Sequence, residues 1–212
     1  MTTPEQLHQW DFDHVWHPFT QANEWESAGE PLIIERGEGC TLIDVHGKRY
    51  LDGISSLWTN VHGHNHPGLN AAIAAQLGQI SHSTLLGQSG VPSIVLAKRL
   101  ADLLKRIGGE EAPLTRTFFS DSGSTAVEVA LKMAFQYHQQ TGGTQRCRFA
   151  ALTEAYHGDT IGSVSVGGID LFHEVYRPML FDAVRIPAPD HATPEEEEVC
   201  LVAARELFAA HG

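Results

Sequence analysis

The chain has 212 residues, of which 42% are hydrophobic and 19% charged, a globular composition that excludes a disordered polymer. Fourteen Lys and Arg stand against 26 Asp and Glu, a net charge of −12, so nucleic acid and anionic membrane surfaces are not expected partners: both demand a basic face. No apolar run approaches the ~20 residues of a membrane span, and no basic start followed by an apolar core opens the chain. Cys40, Cys147 and Cys200 are far apart and form no pair motif, so a reducing, cytoplasmic setting is expected.

Residues 1–30 mix polar side chains with Trp10, Trp16, Phe19 and Trp25, the pattern of an arm that packs on another surface. Over 31–55, short apolar runs at 32–34, 41–45 and 50–51 are cut by Gly37, Gly39 and His46-Gly47. This predicts a small antiparallel meander with a tight turn at Val45-His46-Gly47-Lys48. From Pro67 the period changes: Leu69, Ile73 and Leu77 recur at helical spacing, with the proline in the first turn. A second helix is expected over 91–107, stopped by Gly108-Gly109. The chain then alternates: strand 115–120, helix 125–140, strand 148–152, a helix start within 157–166, and a loop through Pro178, Pro187 and Pro189. A final helix covers 194–210, with acids in its first turn. Alternation at this spacing implies right-handed βαβ units and a mostly parallel sheet with helices on both faces. The sheet is expected to end with an open edge after Leu152, so the chain reads as the N-terminal part of a longer protein. Residues 1–66 form the arm and antiparallel segment, and 67–212 the first, incomplete part of a large domain.

Three stretches could carry chemistry. In FFSDSGST, residues 118–125, a strand runs into Gly123, Ser124 and Thr125, and a helix follows at once. Free amides of a first turn, a glycine that permits close approach and adjacent hydroxyls suit a phosphate, although a plain capped helix, with Thr125 and Glu128 as capping box, has the same sequence. Neither GxxxxGK[ST] nor GxGxxG is present. In EAYHGDT, residues 154–160, a Tyr-His pair follows the next strand and falls at the same carboxyl edge of the sheet, where ligands bind. The bland alternative is a helix start with Asp159 near its N-cap. His62, His64 and His66 invite a zinc reading, but no cysteine or acid lies close in sequence, and Gly63 and Pro67 point to a turn; no metal is expected.

Together HVWHPFTQ (14–21), DGISSLWTNVHGHNHP (52–67), HSTLLG (82–87), DSGSTAVEVALKMAFQY (121–137) and AYHGDTIGSVSVGG (155–168) resemble the class III aminotransferases, over the whole chain and in order. The last two are shared across that family, and WHPFT and SSLW–HGHNHP resemble its biotin-synthesis branch. The resemblance implies the aspartate-aminotransferase-like fold (fold type I), a homodimer, pyridoxal phosphate as cofactor and a small-molecule substrate. It implies amino transfer onto the ketone of 8-amino-7-oxononanoate, giving 7,8-diaminononanoate. On the same resemblance Gly123 and Ser124 bind the cofactor phosphate. Tyr156 stacks near the cofactor and meets substrate, with His157 beside it, and Phe19, Leu57 and Trp58 face the substrate. Leu57 stands where some members carry tryptophan, and Phe19 where some carry tyrosine. HSTLLG resembles the branch in which the donor differs from S-adenosylmethionine, lysine being one possibility, so the donor stays open. The alternatives are another class III enzyme acting on ω-amino acids or diamines, and a fragment that binds without chemistry.

Family enzymes use a Schiff-base lysine and an aspartate at the pyridine nitrogen. Neither is found here: Lys48, Lys98, Lys105 and Lys132 lack a matching context, so no catalytic residue is assigned. Residues 1–212 alone, mixed with pyridoxal phosphate and reduced with borohydride, are therefore expected to yield no specific adduct and no turnover. A stoichiometric adduct on one of the four lysines, with product formed, would overturn this.

Overall fold

Thr3 starts the first element. Its hydroxyl accepts the Gln6 amide (3.3 Å) while the Gln6 side chain accepts the Thr3 amide (3.1 Å), and Pro4 fills the first turn. This capping box begins helix α1, Pro4–His14. A short helix α2 follows at Ala22–Ser27. The arm expected over 1–30 is thus largely helical, and Thr3-Pro4-Glu5-Gln6 was the signal for it. Its aromatics pack locally, with His17 and Trp25 ring centroids 4.1 Å apart, whereas Trp16 and Phe19 stay exposed.

The computed structural model describes residues 2–27, 29–108, 114–169, 174–189 and 193–211. The chain divides into two units, Met1–Ile94 and Val95–Gly212.

In the first unit, β1 (Ile34–Glu38), β2 (Thr41–Asp44) and β3 (Arg49–Leu51) form an antiparallel sheet in that order. β1 begins two residues later than its apolar run suggests. The β2–β3 turn falls where His46-Gly47 places it, with Gly47 at φ +81°, a conformation that costs glycine nothing. Asp44 holds the turn from inside. Its carboxylate accepts the amides of His46 (2.9 Å) and Lys48 (2.8 Å) and the Tyr50 hydroxyl (2.9 Å). Ile43 beside it is the most buried apolar residue among those described.

Beyond β3 the backbone turns left-handed. Ser55, Ser56, Leu57 and Trp58 (the short element α3, Ser55–Trp58) have φ values of 51°, 47°, 61° and 68°. Non-glycine residues pay roughly 1–2 kcal/mol each for that hand, so something else must hold the turn. Helix α4 (Pro67–Leu77) starts where expected, with His66 as its N-cap, and α5 (Val91–Gly108) carries the chain into the second unit.

In the second unit, residues 115–120 pair with no strand among the described residues, although their composition suits one: a ladder needs a neighbour's backbone groups as well as apolar side chains. The elements are α6 (Gly123–Gln140), β4 (Phe149–Leu152), α7 (Ile161–Val166), a 3₁₀ turn (Glu174–Met179), β5 (Ala183–Ile186) and α8 (Pro194–His211). β4 and β5 pair in parallel, Phe149 with Ala183 through Leu152 with Ile186. The edge expected to lie open along residues 148–152 is thus partnered by β5, a four-residue run hidden between Pro178 and Pro187. Ala151, Val164 and Val166 are buried here, so α7 and β4 supply this unit's apolar core. None of the described helices is long and apolar enough to cross a membrane.

Burial pushes the Asp44 carboxyl up, but the amide of Lys48, the hydroxyl of Tyr50 and the amide of His46 outweigh it and hold the group below its usual 3.8. The folded state therefore gains stability from this carboxylate above pH 3.8 and loses it as pH falls through the lower folded value. Urea midpoints at neutral and strongly acidic pH should differ less in Asp44→Asn than in the native protein.

Candidate functional site

Two loop-to-helix junctions meet in the second unit. At the first, Ser122 is the N-cap of α6: its hydroxyl accepts the Thr125 amide (3.2 Å), while the Thr125 hydroxyl accepts the Ser122 amide (3.1 Å). The capping pair is thus Ser122 with Thr125, and not Thr125 with Glu128. Gly123, Ser124 and Thr125 are the first three residues of the helix. The amides of Gly123 and Ser124 meet no acceptor among the described residues, as first-turn donors have no intrahelical partner. A Cβ on Gly123 would meet nothing within 4 Å. Two amides without acceptors, open space and the positive end of an 18-residue helix are the features that suit an anion. The Thr125 hydroxyl is engaged by Asp121 (2.6 Å), which leaves the backbone as the main source of free donors.

The second junction, residues 154–160, is joined to the first. Thr160 donates its amide to Ser124 Oγ (3.1 Å), and the Ser124 and Thr160 hydroxyls lie 2.8 Å apart. Ser163 donates to the Ser124 carbonyl (2.9 Å). Glu128, one turn along α6, accepts the Gly162 amide at 2.7 Å. Hydrogen bonding from the Thr160 side chain, then from the Gly162 and Ser163 amides, outweighs burial and holds the Glu128 carboxyl below its ordinary value. Two glycines make the approach possible. A Cβ on Gly158, at φ +111°, would stand 2.9 Å from Ser124 Cα, and one on Gly162 would overlap the Glu128 carboxylate. The bonds among Ser124, Glu128, Thr160, Gly162 and Ser163 escaped the sequence reading, because nothing local marks a side chain that bonds 34 to 39 residues away.

Tyr156 and His157 lie on this second junction and are exposed. The Tyr156 hydroxyl donates to Asp159 Oδ2 (2.7 Å), which raises the phenol's pKa and keeps it protonated. Asp159 is therefore a partner of Tyr156, and the N-cap of α7 is Thr160.

Phe19, Leu57 and Trp58 belong to the first unit. All three have positive φ and are exposed, Leu57 to 64% and Trp58 to 78%. Below the 55–58 turn, Asp52 Oδ1 accepts the Ser56 amide (2.9 Å), and Oδ2 accepts the Ser56 hydroxyl (2.9 Å) and faces His64 Nε2 (2.7 Å). His66 caps α4 and His64 pairs with Asp52, while the His62 ring lies beside that of His66, so the three histidines of the HGHNHP stretch do not converge. A different group, His8, Glu30 and His46, brings its ligand-type atoms within 4.8 Å of one another; their separation in sequence concealed it.

A family model, Aminotransferase class-III, matches residues 23–211. The adenosylmethionine-8-amino-7-oxononanoate aminotransferase of Nitratidesulfovibrio vulgaris is 58% identical over 215 residues, covering 97% of this chain and 38% of that protein. The crystal structure of the enzyme of the same name from Methanocaldococcus jannaschii superposes with a TM-score of 0.84 at 43% identity, covering 98% of this chain and 44% of that one. An (S)-enantioselective omega-transaminase from Thermomicrobium roseum superposes with a TM-score of 0.85 at 29% identity, covering 98% and 46%. The chain spans about two-fifths of the length of the curated relatives it matches.

Gly158→Ala should cost about 1–3 kcal/mol in denaturant unfolding, the usual range for overpacking. In a Ser124→Gly background the same substitution should cost less, since the side chain the new methyl strikes is gone. Additive losses would show that the two junctions do not press on each other.

Proposed function

Because the chain belongs to the class III aminotransferases, we propose that the protein transfers an amino group, with pyridoxal phosphate, onto the ketone of 8-amino-7-oxononanoate, a step of biotin synthesis. The observation that carries this reading is the anion seat at the start of α6, locked to the loop that bears Tyr156 and His157. The likeness to relatives named for this reaction supports the choice of substrate. When bound, pyridoxal phosphate supplies an aldehyde that carries the amino group and a pyridine ring that takes up an electron pair.

In this reading the amides of Gly123 and Ser124 hold the phosphate, where their orientation and the helix dipole favour an anion. The Ser124 hydroxyl is committed to Thr160 and Ser163, so it acts by fixing the second loop at the height of the seat. Tyr156, its hydroxyl tethered to Asp159, presents a ring of fixed rotamer against the cofactor and meets substrate, and His157 lines the same loop. Phe19, Leu57 and Trp58 contact the apolar chain of the substrate. S-adenosylmethionine or another amine such as lysine is the donor, and the enzyme works as a cytoplasmic homodimer. In this reading no catalytic role is assigned to Lys48, Lys98 or Lys132: Lys98 is paired with Asp102 at 2.6 Å, the Lys48 ammonium lies over the Tyr50 ring, and Lys132 is exposed one turn from Glu128. A transaminase for ω-amino acids is the second reading, favoured by the likeness to the T. roseum structure.

Two measurements test this. The holoenzyme, given 8-amino-7-oxononanoate with S-adenosylmethionine or with lysine, should form 7,8-diaminononanoate with one donor or the other. Turnover of ω-amino acids alone would select the second reading. Gly123→Val should weaken pyridoxal-phosphate binding by about tenfold or more, because it fills the seat. Gly123→Ala should leave the melting temperature of the cofactor-free protein nearly unchanged, because a Cβ there meets no protein atom within 4 Å.

A further inference from the structure

We propose that Asp52 is a positioning residue for the acceptor substrate: by holding residues 55–58 in their left-handed turn, it sets the angle at which Leu57 and Trp58 meet that substrate. The inference rests on the reading that Leu57 and Trp58 touch substrate, and it adds the group that aims them.

Four consecutive non-glycine residues with φ between 47° and 68° form a conformation that persists only where the surroundings over-determine it. The turn does not supply that determination from its own side chains, since Leu57 and Trp58 are exposed and bury little within their unit. Its own bonds, Trp58 amide to Ile54 carbonyl (2.8 Å), Thr59 and Asn60 amides to Ser55 carbonyl (3.1 and 3.0 Å) and the Thr59 hydroxyl to Ser56 carbonyl (3.1 Å), close it without selecting its hand. The determinant lies beneath. The Asp52 side chain is 4% exposed and takes both the amide and the hydroxyl of Ser56, at 2.9 Å each. One carboxylate thus grips a single residue at two points, fixing where Ser56 sits and which way its peptide faces. His64, 15% exposed, meets the same carboxylate at 2.7 Å, and Asn60 lies against the other nitrogen of its ring, so the carboxylate cannot swing away. The Ser56 amide, then the groups of His64 and the Ser56 hydroxyl, hold the Asp52 carboxyl below its ordinary value against the effect of burial, so it remains an acceptor throughout the neutral range. A buried, charged grip under a strained, outward-facing apolar pair is an arrangement for presentation.

The test is a mutant cycle in the holoenzyme, with steady-state kinetics on 8-amino-7-oxononanoate, single-turnover rates with the donor and thermal unfolding. Asp52→Asn keeps the size but loses the charge that grips Ser56. It should raise KM for the acceptor about tenfold, the loss of one hydrogen bond to a charged group. The donor half-reaction should change by less than about twofold. In the Leu57→Ala/Trp58→Ala background the same substitution should have almost no further effect on KM, because the side chains it aims are gone. Equal factors in both backgrounds, or a loss shared by both half-reactions in step with the melting temperature, would overturn the proposal while leaving the substrate contact standing. A KM unchanged by Leu57→Ala/Trp58→Ala itself would remove the contact, and the proposal with it. Should Asp52→Asn fail to fold, Ser56→Ala removes only the hydroxyl's bond, and the same non-additivity is expected at about threefold.

Discussion

The second unit depends on a seam between α6 and α7. Ser124, Thr160 and Ser163 share hydroxyl hydrogen bonds, and Glu128 takes the Gly162 amide. The seam joins two loops, each followed by the first turn of a helix. Such turns carry unpaired amides by construction. At α7 the neighbouring carboxylate of Glu128 consumes that capacity. At α6 it stays outward, at Gly123 and Ser124. One helix start is thereby spent on structure and the other left for a ligand, and the glycines at 158 and 162 let the two backbones come close enough for the division to work.

The first unit solves a comparable problem with carboxylates. Asp44 gathers two amides and a phenol under the β2–β3 turn, and Asp52 gathers an amide, a hydroxyl and a histidine under the left-handed turn. In both places a single acidic side chain bonds to backbone groups that follow it closely, the habit that makes aspartate a turn residue. The difference lies in what the turn displays. The first closes a hairpin with a glycine at the strained position. The second places serine, leucine and tryptophan in the left-handed region with no glycine to relieve them. Strain kept at a position where relief was chemically available is a mark of use.

The exposure of large apolar residues agrees with membership of a family whose curated relatives are more than twice this length. Ile73 and Leu77 of α4 and Ile94 and Ile107 of α5 all lie open. The apolar residues of α5 are gathered on one face of the helix, whereas those of α4 are spread around it, and on both helices they stay exposed.

Much was legible in the residues themselves. Helical periodicity and capping located α4, α5, α6 and α8 to within a residue or two, because i, i+3 and i+4 spacing and a proline or N-cap are local quantities. The glycine at 47 marked its turn for the same reason, and the junction at 121–125 could be seen as a helix start, although the strand expected before it is not formed. The tertiary structure decided the rest. β5 is four residues with no period of its own, and becomes a strand only because β4 offers it a ladder; residues 115–120, better suited by composition, find no such partner among the described residues. Glu128 looked like half of a capping box and is instead a bond across 34 residues to Gly162, while Asp52, which nothing local marked, grips Ser56 and is met by His64, read only as part of a turn. Sequence carries what neighbours along the chain do to each other. Which distant donor meets which acceptor is settled only when packing brings them within about 3 Å.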